Sequence, residues 1–450
     1  MSLLVWIDQS PVGLIVMEKR PGFQQPSMTF TYSDAWLADT KSFAISPDLP
    51  LVRGPQTPAP HRSTFLAFDD AAPDRWGRKL IEAKFRRDAI QEKRRPAPLS
   101  EADLVLAVSD DTRQGAIRFQ LDGEFVAASE KNAGIQDLPD LVAAAQRFEE
   151  TGVIDAGVSE LIGVGSSPGG AHPKAWVRAE DGHLLLAKFP RVADVTDASA
   201  WELAAIELQK AAGIDVAPSQ RIGLGPGRSV FITERFDRRL DQTRIPYMSF
   251  RTAFRLAELE HPDYASLARR LGKISSSPSE DLPELFSRAA FNAMANNIDD
   301  HMRNFGLLHT GNGWRLSPSF DVNPEPRGRS DTPLTQEDFA DDRDVRNLLD
   351  AASQFRLTQD AAVARLRRID KALDGWRDAG LKAGVEADAL DFMANAFEGP
   401  ARQKMDGLRA TNKNRPDRAS TTPDSQPGQT WVRPHLRDGQ RIEGHFRKRK

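Results

Sequence analysis

Asn297–Ile298–Asp299–Asp300–His301–Met302–Arg303–Asn304, followed by Ser319–Phe320–Asp321, is the stretch on which the reading of this chain turns. Phosphoryl transfer is mostly positioning and charge neutralisation. It needs a carboxylate to orient or deprotonate the acceptor hydroxyl, carboxylate or amide ligands for Mg²⁺, a cation on the phosphate oxygens and a backbone cradle for the phosphates. In catalytic loops of this kind the base aspartate precedes the metal-binding asparagine by five positions. Asp299 stands five before Asn304, whereas Asp300 stands four before it. Spacing therefore selects Asp299 as base and Asn304 as a metal ligand, with Asp321 as the second metal-binding carboxylate. Singly, these aspartates would also suit a turn and a helix cap; their order argues for chemistry. His301 could hold the loop by a hydrogen bond or simply pack, and a supporting role is favoured over proton transfer.

Working outward, Phe305–Leu308 and Trp314–Leu316 flank Thr310–Gly311–Asn312–Gly313, which predicts a β-hairpin between the two acidic strings. Upstream, Leu282, Leu285, Phe286, Ala289, Ala290, Ala293 and Met294 fall on one face at helical spacing. The hairpin thus interrupts a helical lobe over 241–412. The preceding region, 150–240, reads as a small sheet with one helix: strands at Ala175–Ala179 and Leu184–Phe189, a helix at Ser199–Ala212, and strands near Ile222 and at Val230–Thr233. Within it, Lys188 lies in an apolar strand, where a lone cation is costly to bury without an anion. Glu202 opens the next helical run and suits that role, although both could form a solvent-facing pair. The cradle candidate is Ser166–Ser167–Pro168–Gly169–Gly170–Ala171–His172–Pro173–Lys174 between two predicted strands. Gly169 and Gly170 allow close backbone approach, although Gly-Gly between strands is more often only a turn.

The first part, 1–130, reads as a mixed α/β domain with two strands in Met1–Met17, β-like runs at Leu104–Val108 and Ala116–Leu121, and helical pattern at Asp74–Phe85. A helix starts at Asp137–Leu138–Pro139–Asp140, with Asp137 as cap. The chain has 450 residues, 40% hydrophobic and 28% charged, which fits two or three soluble units and no membrane span. With no cysteine, disulfides, thiolate metal sites and a cysteine nucleophile are excluded, and a cytoplasmic location is expected. His261, His301 and His309 lack zinc spacing, so any metal is expected to be Mg²⁺ on carboxylates. The net charge of −3 gives no case for the whole chain binding nucleic acid, but 413–450 carries ten Lys or Arg against four Asp or Glu. That segment is too poor in apolar residues for a core and is expected to be a disordered basic tail. A solvated tail is preferred to a nucleic-acid-binding arm.

Taken together, the strings Gly169–Lys174, the Lys188 strand, Thr233-Glu-Arg-Phe-Asp-Arg238, Asp299–Asn304 and Asp321-Val resemble the HipA-type kinases, toxin halves of bacterial toxin–antitoxin pairs. Phe68-Asp-Asp-Ala-Ala-Pro-Asp-Arg-Trp-Gly-Arg78 and Gly115-Ala-Ile-Arg-Phe119 are similar to the family's N-terminal subdomain. The resemblance implies an α+β, two-lobed protein-kinase-like fold with an additional N-terminal α/β subdomain. It further implies ATP and Mg²⁺ as cofactors and transfer to serine or threonine of a protein substrate. Ser167, Gly169, Gly170, Ala171, Lys174, Lys188 and Glu202 would then serve the nucleotide, with adenine contacts near Glu234 and Phe236. It also implies a small DNA-binding antitoxin as partner, and autophosphorylation at Ser167 or the neighbouring Ser166. Pro168 stiffens the cradle relative to better-known relatives. Two other readings of the scaffold stay open here, a catalytically silent interaction protein working with a DNA-binding antitoxin and a small-molecule or lipid kinase.

Overall fold

The computed structural model describes residues 1–19, 25–127, 133–155, 157–158, 172–257, 260–338 and 343–409, with four short strands between 429 and 448. It starts with strands β1 (Ser2–Ile7), β2 (Ser10–Glu18) and β3 (Ser27–Tyr32) and short helices α1 (Asp34–Ala38) and α2 (Leu66–Asp70). Helices α3 (Arg75–Gln91) and α4 (Glu101–Ala107) follow, then β4 (Ile117–Leu121) and β5 (Glu124–Phe125). The five strands make one antiparallel sheet in the order β3-β2-β1-β4-β5. Alternation buries Leu3, Val5 and Ile7 on one face against Phe30, Phe65, Phe68 and Phe119.

The run at Leu104–Val108, expected as a strand, is helical through Ala107. Ser100 accepts from the Asp103 N–H while the Asp103 carboxylate accepts from the Ser100 N–H, a capping box that starts α4 and turns Ala102, Leu104 and Val105 inward. Asp74 caps α3 by accepting from the Gly77 N–H at 2.6 Å.

Helix α5 (Leu138–Thr151) has Pro139 in its first turn, as expected, but Asp137 caps the short 3₁₀ turn before it, accepting from the Gly134 N–H. The nucleotide lobe is an antiparallel sheet ordered β6-β7-β9-β8, from β6 (Lys174–Arg178), β7 (Leu184–Lys188), β8 (Ser219–Gly225) and β9 (Arg228–Glu234), with α6 (Ala198–Ala211) between β7 and β8. One core joins this sheet to the N-terminal part: Trp76, Leu80 and Ala83 of α3 pack with Leu141 and Phe148 of α5 and with Val177, Leu185 and Ile232.

The helical lobe contains β10 (Tyr247–Ser249), α7 (Tyr264–Leu271), α8 (Pro278–Met294), β11 (Gly306–His309), β12 (Trp314–Leu316), α9 (Gln359–Leu373) and α10 (Trp376–Lys382). All seven residues of the predicted α8 face are buried, and Leu285 or Phe286 alone contributes roughly 1.5–3 kcal/mol of burial. The predicted hairpin forms as β11 and β12, and β10 adds a third strand that the sequence reading had not placed. The basic C-terminal segment, expected to lack structure, holds two nested antiparallel ladders, β13 (Gln429–Val432) with β16 (His445–Lys448) and β14 (His435–Arg437) with β15 (Gln440–Ile442). No helix among the described residues is long and apolar enough to cross a membrane.

Candidate active site

Lys188 ends β7 with its ammonium between two carboxylates, 2.6 Å from Glu202 Oε1 on α6 and 2.6 Å from Asp321 Oδ1 after β12. Burial opposes its charge, but the two anions hold its pKa above the ordinary lysine value. For Asp321 burial pushes upward and is outweighed by the Lys188 and Lys174 charges, which hold the carboxyl well below the usual carboxylate range. Burial prevails at Glu202 and raises its pKa. Asp321 also has φ +57°, a left-handed backbone that a non-glycine residue adopts under local constraint. The constraint is visible on both sides: the Ser319 N–H donates to Asp215 O, and the Glu325 N–H donates to Asn296 O.

The two adjacent aspartates of the loop have opposite surroundings. Asp300 is 1% exposed and accepts from Tyr264 Oη at 2.6 Å, Ser330 Oγ at 2.5 Å and Arg343 Nη1 at 2.8 Å. Its hydrogen-bonding capacity is taken up in holding α7 and the loops around it. The Asp299 side chain is 58% exposed, with His301 Nε2 3.7 Å from its Oδ1. Partial burial raises the Asp299 pKa, and His301 pulls in the opposite direction. Asn304 donates from Nδ2 to Asp299 O at 2.8 Å, which fixes the amide and leaves its Oδ1 buried with no hydrogen-bond partner among the described residues.

That orphaned oxygen and the strongly acidic Asp321 carboxylate are hard oxygen donors of the kind Mg²⁺ takes, and Mg²⁺ characteristically leaves further positions to water and phosphate. Among the described residues no three His, Asp or Glu side chains make a metal cage of their own. These residues fit Mg²⁺.

Next to Lys188 opens a cleft between the two lobes' residues. Glu202, Glu234, Phe236 and Asp321 line it, as do Trp176, Phe231 and Phe320. Ser166, Ser167, Gly169, Gly170 and Ala171 of the predicted cradle lie outside the described residues. Lys174, expected to serve the nucleotide, is 1% exposed, with Nζ 2.8 Å from Asp74 Oδ2. Its backbone partner across the ladder is Lys188.

The string Thr233–Arg238 meets the N-terminal part directly. Arg235 donates to Thr112 O at 2.9 Å and to Arg113 O at 2.6 Å, Arg238 donates to Arg113 O at 2.7 Å, and Asp237 accepts from the Gly115 N–H at 2.6 Å. Residues 3–120 match the family model for the HipA N-terminal domain, and residues 166–376 match that for the HipA-like C-terminal domain. The chain belongs to the HipA family. As a HipA-family protein it is similar to Y4mE of Sinorhizobium fredii (strain NBRC 101917 / NGR234), named provisionally as a kinase, at 24% identity over 347 residues, covering 71% of this chain and 76% of that protein. HipA of Shewanella oneidensis MR-1, solved with HipB and operator DNA, has the same fold, with a TM-score of 0.60 at 14% identity over 91% of this chain and 100% of that one. A further likeness, to the Helicobacter pylori proinflammatory kinase CtkA, covers 52% of this chain and 95% of that one at 13% identity, with a TM-score of 0.34.

Proposed function

We propose that this HipA-family chain is an ATP- and Mg²⁺-dependent serine/threonine protein kinase. The observation that carries the reading is Lys188, held 2.6 Å from both Glu202 and Asp321 at the side of a cleft. A largely covered lysine on a strand, fixed by a helix glutamate and facing a metal-binding carboxylate, is the arrangement that neutralises transferring phosphate. Asp321 and Asn304 Oδ1 would hold Mg²⁺, Lys188 the phosphate oxygens, and the Glu234–Phe236 segment the base. Bound Mg-ATP supplies the phosphoryl group and a divalent charge close to it. Asp299, the accessible carboxylate of the loop, orients the acceptor hydroxyl and takes its proton, with His301 and the Asn304 amide holding that loop in shape.

The Shewanella oneidensis structure contains HipB and operator DNA, and on that likeness a small DNA-binding antitoxin is the partner proposed for this chain. Ser167, or Ser166 beside it, is proposed as an autophosphorylation site, where about −1.5 to −2 of added charge would compete with nucleotide phosphates and switch the enzyme off. The test is transfer of labelled γ-phosphate to protein hydroxyls by the purified chain, with peptide mass spectrometry over residues 166 and 167. Wild-type protein that transfers no phosphate to protein or to itself in Mg-ATP defeats the kinase reading; transfer to other proteins with both serines unmodified removes only the self-inactivation.

A further inference from the structure

Among the side chains of the N-terminal subdomain that reach the nucleotide lobe are Asp74, on Lys174, and Gln114, in the wall of the cleft itself. Gln114 lies in the segment that the Thr233–Arg238 string grips. The carbonyls of Thr112 and Arg113 before it accept from Arg235, and the N–H of Gly115 after it donates to Asp237. Its backbone is therefore pinned on both sides by residues of the cleft wall. Gly115 has φ +72°, a backbone that favours glycine, and a Cβ there would lie a tight 3.1 Å from the Tyr247 backbone nitrogen. That approach brings the segment carrying Gln114 beside Tyr247. Tyr247 in turn packs against Phe236, ring centroids 6.4 Å apart, and Phe236 against Phe320 at 5.4 Å.

Gln114 is thus a neutral amide among aromatic rings at the Glu234–Asp237 end of the cleft, away from the charged Lys188 end. An amide offers a donor and an acceptor side by side, the pattern that pairs with the amino group and ring nitrogen on one edge of adenine and mismatches guanine, which carries a carbonyl in place of the amino group.

We propose that Gln114 is a base-reading residue, so that the N-terminal subdomain forms part of the nucleotide site and sets its preference for adenine. This rests on the reading of the cleft as a nucleotide site. The test is calorimetric binding of Mg-ATP, Mg-GTP and inorganic tripolyphosphate to the full chain, comparing wild type with Gln114→Met, which keeps the length of the side chain, and Gln114→Ala. Losing a half-buried amide that pairs with the base should weaken ATP binding about tenfold and narrow the ATP-to-GTP preference by a similar factor, with tripolyphosphate affinity unchanged. ATP affinity and ATP-to-GTP ratio within about twofold of wild type in either folded variant overturns the proposal. Equal loss of ATP and tripolyphosphate affinity also overturns it, because the residue would then be holding the cleft together and not reading the base. Wild-type protein that binds neither nucleotide defeats the nucleotide reading beneath it, a result distinct from the other two.

Discussion

Lys174 and Asp74 form a buried ion pair, Nζ to Oδ2 at 2.8 Å, that ties the first strand of the nucleotide lobe to the N-terminus of α3. The same carboxylate caps α3, so one side chain fixes both the start of the helix and the cation beside it. Removing the cation strands a carboxylate in the interior. Lys174→Met is expected to lower stability at neutral pH by about 3 kcal/mol, and adding Asp74→Asn should recover most of it, because a buried pair is more harmed by losing one partner than by losing both. Urea denaturation of the three proteins measures this. A Lys174→Met protein with wild-type stability and impaired ATP binding would instead assign Lys174 to the phosphates.

The same pair has a pH signature. Burial raises the Asp74 pKa from 3.8 to about 6, against the pull of Lys174. A carboxyl with a raised folded-state pKa favours the folded protein when protonated. Its contribution is full below the ordinary value and is lost as pH rises through about 6. The stability of wild type minus that of Asp74→Asn should therefore decrease as pH is raised from about 4 to about 7, other carboxylates cancelling in the difference. A difference that stays flat, or rises, contradicts the assignment.

Asp299 and Asp300 are expected to separate chemistry from structure. Asp299→Asn should reduce phosphate transfer by roughly 10²–10⁴-fold with ATP affinity and melting temperature nearly unchanged, since its side chain is open and serves the acceptor. The acidic limb of the wild-type rate profile should fall above the ordinary aspartate pKa, in the direction of the Asp299 shift. Asp300→Asn should do the reverse of its neighbour: an amide nitrogen turned toward Tyr264, Ser330 or Arg343 meets another donor, and Arg343 keeps a buried charge without its anion. Thermal unfolding and single-turnover transfer on both variants decide it. A stable Asp300→Asn protein without transfer would move the base by one residue.

The parts of this site that were legible in the sequence are those in which chemistry forces a local pattern. Lys188 in an apolar strand demanded an anion, and the five-residue spacing to Asn304 singled out Asp299 over the Asp300 that the fold buries. What was illegible lies in contacts between distant segments. Asp74 read as an ordinary helix start, and nothing local marks its second role 100 positions later at Lys174. Gln114 belongs to no motif at all; it enters the cleft because Arg235 and Asp237 grip the backbone around it. The strand expected at Leu104–Val108 failed for a different reason, a short apolar run being ambiguous between helix and strand, and the available signal was the Ser100 and Asp103 capping box. In the basic tail, Asp-Gly at 438–439 between β14 and β15 was the unused hairpin signal.

Lys188 and Asp321 should be separable by metal dependence, although they touch. Lys188→Ala removes the cation shared by the buried Glu202 and the partly buried Asp321, so the two carboxylates are left facing one another. The variant should lose stability, on the order of 3 kcal/mol, and bind nucleotide weakly whether or not Mg²⁺ is present, because the lysine acts on phosphate directly. Asp321→Ala keeps the Lys188 and Glu202 pair, and its stability should fall less. Its defect should be confined to the metal: ATP affinity measured with EDTA should match or exceed wild type, since one anion near the phosphates has gone, while the gain in affinity that Mg²⁺ confers on wild type should be largely lost. Calorimetric titration of ATP with and without Mg²⁺ on the three proteins reads both effects together. If Asp321→Ala retains the full Mg²⁺-dependent gain, Asp321 is not a metal ligand, and its charge serves only to hold Lys188 in the cleft.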